Sequence, residues 1–234
     1  MAIYIYYSDE IHSKIKKNID FLINARSSQN DEELIASINL NILLLSTCYT
    51  EGKLEGILKG IVECHRQIYK KINIEEFEIR RPMNILYKSI MNDVKDRISR
   101  CQGLENYNNM WKLLMEKSLL DYDEIKILWE PIQILFQLRN VLAHGRQINS
   151  YITNAYWNGN KDEEYFFGGY KKAEDYLRKI GLIKARFIEN NSSNLFFSNE
   201  IIDYFWSAAI DFIKNVESRA TLDEMKKFNL KNSK

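Results

Sequence analysis

The chain has 234 residues, 45% of them hydrophobic and 28% charged, with nine glycines and two prolines. That length and apolar content support a sizeable core and exclude both a small disulfide scaffold and wholesale disorder. Lys and Arg total 33 against 32 Asp and Glu, a net charge of +1, so no global field holds a polyanion and any nucleic-acid contact is local.

Few prolines and glycines favour long helices. Ser8 can cap a first helix with Asp9 and Glu10 in its opening turn and Ile11, Ile15, Ile19 and Leu22 on one face. A polar break at 27–30 follows. From 31 to about 71 the sequence is free of proline and rich in Leu and Ile, and it reads as one long helix or two collinear ones. After Pro82 the four-residue spacing of Leu86, Ile90, Val94 and Ile98 predicts a third helix, with Gly103 as its left-handed cap, and a short helix follows around 110–119.

The stretch 121–145 contains Pro131, which either kinks a helix or occupies its first turn, and Gly145 ends it. Beyond it, 151–167 is aromatic and polar around Asn158-Gly159, the signature of a type I′ hairpin turn. A helix over about 170–180 ends at Gly181, and two apolar runs, 182–188 and 195–197, suit a second hairpin. Ser198 then caps a helix with Ile201, Phe205, Ala209 and Ile213 inward, and Thr221-x-x-Glu224 is a capping box for a short final helix before a Lys-rich tail. The expected architecture is all-α: a helical bundle over 1–220 with a small aromatic hairpin-like insertion at about 148–198, and a short helix and tail at 221–234.

Cys48, Cys64 and Cys101 show no C-x-x-C spacing and read as packing residues in a reducing compartment. The N-terminus lacks the features of a signal peptide, and the most apolar run, 38–49, is broken by Asn39, Asn41, Ser46 and Thr47 and falls short of the ~20 residues a membrane span needs. The expectation is a soluble, cytoplasmic protein with no membrane partner. His12, His65 and His144 lie far apart, with no paired Cys/His spacing, so no metal and no cofactor is expected. The Glu63-Cys64-His65 cluster reads as a helix surface.

The segment 131–144 is the most informative. At ~100° per residue, Ile132, Leu135, Phe136, Leu142 and Ala143 fall on one side and Ile134, Leu138 and Val141 on the other. Such a helix is apolar nearly all round and belongs at the centre of the bundle. The remaining stripe holds Gln133, Gln137, Asn140 and His144 where a solvent face would carry Lys and Glu, and reads as enclosed. Arg139 falls on the apolar face and needs an acid, a ligand or a subunit boundary to face. His144, in the last turn, sits where the helix dipole favours its protonated form and places its titration near neutrality.

The string Arg139-Asn140-Val141-Leu142-Ala143-His144-Gly145 resembles the R-N-x-x-x-H motif of the HEPN superfamily, the higher-eukaryote and prokaryote nucleotide-binding helical domains. The resemblance covers 31–147, with the 198–218 helix as a closing member; the aromatic segment between them does not align. It implies a metal-independent RNA endonuclease in which a ribose 2′-hydroxyl attacks the adjacent phosphate. His144 would transfer protons, Arg139 would stabilise charge on phosphorus and Asn140 would orient His144 or the phosphate. The family also places an acid on an earlier helix facing the motif, and Glu51 or Glu55 can serve, Glu55 matching better. Arg146 and Trp157 are candidate RNA contacts. Toxin and phage-defence roles are frequent among prokaryotic members, which admits a cognate antitoxin as partner, and the ribonucleases commonly form homodimers. The alternative is a non-catalytic module of the same family that binds nucleotide or protein, such as an antitoxin or immunity protein; the neutral overall charge favours it.

Beside the two glutamates, Gly52, Gly56 and Gly60 form a row at four-residue spacing, each costing ~1 kcal/mol in a helix relative to Ala. Either another element approaches closely there or the helix breaks near Gly52.

Overall fold

The computed structural model describes residues 10–72, 81–143, 150–153, 163–166, 169–183 and 197–232. Over these the protein is all-α in class: helices α1 (Glu10–Ser27), α2 (Glu32–Ile72), α3 (Arg81–Ser99), α4 (Leu104–Met115), α5 (Asp123–Ala143), α6 (Gly169–Lys179) and α7 (Asn199–Asn232), with a two-stranded ladder of β1 (Ser150–Thr153) and β2 (Glu163–Phe166) before α6. The chain divides into two compact units, to both of which α1, α2, α5 and α7 contribute residues.

The first unit comprises Met1–Lys14, Tyr49–Trp129 and Asp211–Lys234. Its core holds Leu54, Leu58 and Ile61 of α2, Trp111 of α4, Ile125 of α5 and Phe212 of α7. Trp111 meets Tyr122 edge-on at 6.4 Å, and Trp129 lies 6.3 Å from Phe212. Ion pairs join its helices: Lys53 with Glu217 (3.2 Å), Lys95 with Glu63 (2.9 Å) and Arg219 with Glu124. The α2 helix runs unbroken through Gly52, and the close approach there is made by the buried side chain of His12 on α1. Of the cysteines, Cys64 is buried and Cys101 half-buried, but Cys48 of α2, which lies in the second unit, is exposed, against the expectation that all three are packing residues.

The second unit comprises Ile15–Cys48 and Glu130–Ile210. Asp31 caps α2 by accepting from the backbone N–H groups of Glu33 (3.0 Å) and Leu34 (3.3 Å). Ile19, Ile42, Leu43, Leu135, Leu138, Leu177 and Phe205 form its core. A buried polar network crosses it: Arg26 donates to both oxygens of Asp203 (2.7 and 2.8 Å) and to Asn39 Oδ1 (2.8 Å), and Asn39 Nδ2 donates to the carbonyl of Phe197 and to Asn199 Oδ1. Gly181, at φ 78°, closes α6, with the N–H of Leu182 donating to the carbonyl of Leu177 (2.9 Å) as in a Schellman motif.

Several expectations hold. Ile201, Phe205, Ala209 and Ile213 are all buried, as their spacing predicts, and Phe136 and Leu138 are buried on α5. Others need correction. Thr221-x-x-Glu224 starts no helix: α7 continues through it, and the Thr221 hydroxyl donates to the carbonyl of Glu217 (3.0 Å) within the same helix. The region 221–232 is therefore the end of α7. Gly103 has positive φ but extended ψ and sits at the N-cap of α4; α3 has already ended at Ser99. On α3, Leu86 and Ile90 are 54% and 49% exposed and only Ile98 is fully buried, because periodicity says which residues share a face and not whether a neighbour covers it.

The hairpin is present with a different register. Thr153 pairs with Glu163, whereas a two-residue turn at Asn158-Gly159 would pair residue 153 with residue 164 unless a bulge intervened. Asn158 and Gly159 themselves, and most of the second hairpin expected over 182–197, lie outside the described residues. Within α2 the stretch Glu32–Gln67 is long and apolar enough to cross a membrane by length and composition alone, longer than the run seen in the sequence because the helix continues past its polar interruptions.

Candidate functional site

The motif helix is anchored at its start. Ser118 and Asp121 form a capping box in the turn before α5, and Asn108 Oδ1 of α4 accepts from the N–H of Leu119 (2.8 Å) and the hydroxyl of Ser118 (3.0 Å). Pro131 then sits inside α5 rather than at its start, and buried. It removes one hydrogen bond, to the carbonyl of residue 127, and Ile127 is 76% exposed, so water can satisfy that group. From there Ile132, Ile134, Leu135, Phe136, Leu138 and Val141 are buried, leaving the last two turns to present the polar residues.

Arg139 is half-buried and Asn140 exposed, and Arg139 Nη1 donates to Asn140 Oδ1 at 3.0 Å. The amide thus fixes one edge of the guanidinium. Asn140 being exposed corrects the expectation that the whole polar stripe is enclosed; Gln133 and Gln137 on the same stripe are half-buried. His144, Arg146 and Trp157 lie outside the described residues.

The two acids belong to the first unit, and Arg139 and Asn140 to the second. Glu55 pairs with Lys59 one turn on, and Glu51 is half-buried. Burial and, secondarily, the negative charge of Glu55 push the Cys101 thiol up from its ordinary value, so Cys101 is protonated and a poor nucleophile at neutral pH. Among the described residues no group of three His, Cys, Asp or Glu side chains could hold a metal ion.

The second unit also contains a cleft of about 360 Å³ that sequence reading missed. Two helix faces line it at the same spacing: Glu130, Gln133, Ile134 and Gln137 of α5, and Lys172, Asp175, Tyr176 and Lys179 of α6. Positions i, i+3, i+4 and i+7 make one stripe on each helix. Glu130 and Lys179 pair at 3.1 Å, and the Tyr176 hydroxyl bonds that of Tyr204, its pKa raised by burial and by that bond. The signal for α6 was the polar stripe at helical spacing, but nothing in the sequence says which helix it faces.

Comparison with family models, with curated proteins and with solved structures gives no match. The site is therefore read from its own residues and from the motif they form.

Proposed function

We propose that the protein is a metal-independent endoribonuclease of the HEPN type. The observation that carries the reading is the pairing of Arg139 with Asn140 near the end of a helix that is largely buried over 131–141, inside the string Arg139-Asn140-x-x-x-His144. A buried helix is a rigid mount, and an arginine braced by the neighbouring amide is a pre-oriented donor for phosphate. In this reading a base takes the proton of the ribose 2′-hydroxyl as its oxygen bonds to phosphorus. The bond from phosphorus to the 5′-oxygen breaks, and that oxygen takes up a proton. The products are a 2′,3′-cyclic phosphate and a 5′-hydroxyl. His144 serves in proton transfer and Arg139 stabilises the charge on the phosphoryl oxygens.

The active form in this reading is a homodimer. One chain supplies a single Arg139 and a single His144, and a two-fold axis brings a second set to the same phosphate without additional sequence. A toxin or phage-defence effector in the cytoplasm, checked by a cognate antitoxin, is the setting such a nuclease suits.

The test is incubation of purified protein with unpaired RNA in excess chelator. Cleavage with cyclic-phosphate ends, lost in His144→Ala and Arg139→Ala with unchanged circular dichroism, is the expected result. The net charge of +1 supports the second reading, a non-catalytic binding module, and absence of cleavage by the wild-type homodimer would favour it.

A further inference from the structure

The ladder of β1 and β2 has two outer edges, and they differ. A pair of strands alone is marginal in water and gains stability from a third strand or a covering helix. β2 runs into α6, which begins three residues after it and contacts it. Its sequence, Glu-Glu-Tyr-Phe, also opens on two charges, a guard against edge pairing. β1 has no such guard. Among the described residues no strand pairs with its outer edge, and in an antiparallel ladder alternate residues direct both N–H and C=O to that side. Its sequence, Ser-Tyr-Ile-Thr, has no charge and no proline, and 147–160 around it holds no charged residue in a chain that is 28% charged. Tyr, Ile and Thr all favour strands. The devices that keep an edge strand single are therefore missing from the edge that is open.

Neutrality also bears on what pairs there. A two-fold axis sets two copies of one strand antiparallel, each residue near the axis opposite its own copy or a close neighbour of it, so a charge on the strand meets the same charge. A strand that pairs with its own copy must avoid this, and β1 does. The position fits as well, because β1 begins six residues after His144, at most ~20 Å of extended chain from the end of the motif. We propose that β1 is the homodimer interface: the β1 strands of two copies pair antiparallel about an axis at Tyr151 or Ile152 and join the two ladders into one four-stranded sheet. The proposal rests on the homodimer of the ribonuclease reading and names the surface that forms it, with both motif strings tethered to one sheet.

Analytical ultracentrifugation of the full chain tests it. Wild type should sediment as a dimer. Tyr151→Lys/Thr153→Lys should weaken that dimer about fivefold or more with circular dichroism unchanged, because either axis sets one lysine opposite another. Within the chain Thr153 is opposite Glu163, so a lysine there gains a counter-charge and the ladder is kept. Mixing this variant with Tyr151→Glu should recover dimers that contain both, since either axis sets the glutamate opposite a lysine, and a disrupted hairpin would not recombine. A monomeric wild type, a dimer that the double lysine variant leaves intact, or variants that fail to recombine would overturn the proposal. A β1-paired dimer that cleaves no RNA would uphold the interface and overturn the ribonuclease reading alone, and RNA cleavage by a dimer that the lysines leave intact would do the reverse.

Discussion

The imidazole of His12 fills the space that a side chain at position 52 would occupy. A Cβ built on Gly52 would lie 2.8 Å from His12 Cδ2 and closer still to Nε2. Glycine at this point of α2 is the condition for burying His12. Gly52→Ala gains up to ~1 kcal/mol of helix propensity but must displace the ring, and overpacking costs ~1–3 kcal/mol. The two effects separate in a double-mutant cycle. Gly52→Ala should destabilise or leave unchanged the wild-type chain, and should stabilise His12→Ala by about 1 kcal/mol. Additive effects in urea unfolding would show that the two positions do not interact.

Arg26 is 5% exposed and depends on Asp203 and Asn39 for its hydrogen bonds. Asp203→Ala removes the bidentate partner and leaves a buried guanidinium with Asn39, so a loss of about 3 kcal/mol is expected, less than the full cost of an isolated buried charge because Asp203 is itself half-exposed. Arg26→Met, which removes the charge and keeps the volume, should cost less than Asp203→Ala. The reverse order in chemical denaturation would count against the network as described.

Glu124 should contribute a pH-dependent component of stability. Its hydrogen bond from Arg219 holds its carboxyl below the ordinary value of 4.5. A carboxyl lowered on folding stabilises the native state above the unfolded value and loses that contribution as pH falls through the folded value. Glu124→Gln should therefore be less stable than wild type at pH 7, and the two should converge as acid protonates the wild-type carboxyl. Urea midpoints measured from pH 7 down to pH 3 check this; a constant difference would mean that Glu124 does not titrate in that window.

For the motif, Arg139→Ala and His144→Ala chains should each be inactive. When mixed they should recover part of the wild-type activity if the shared site can draw the two residues from different subunits, since about half of random dimers are mixed and only these retain one Arg139 and one His144. Glu51→Gln and Glu55→Gln address the supporting acid. If Glu55 faces Arg139 as well as Lys59, Glu55→Gln lowers both stability and cleavage, whereas no change in either variant removes both acids from the site.

What the sequence by itself determined about this protein is local. The Ile201, Phe205, Ala209, Ile213 spacing, the unbroken run from 31 and the all-round apolar wheel of 132–141 identify α7, α2 and the buried α5, because burial of an apolar face imposes a 3.6-residue period on the chain that forms it. The string Arg139-Asn140-x-x-x-His144 is legible because it is a short run of neighbouring residues. Where local signals misled, two outcomes shared one pattern: Thr221-x-x-Glu224 fits a capping box as well as a helix interior, and Leu86 and Ile90 keep a core spacing on an exposed face. Only the tertiary structure decided contacts between distant segments. Arg26 and Asp203 are 177 positions apart, His12 and Gly52 are on different helices, and the cleft exists because α6 lies against α5. No periodicity encodes such pairings; they arise from the docking of helices whose polar stripes must find partners once their apolar faces are buried.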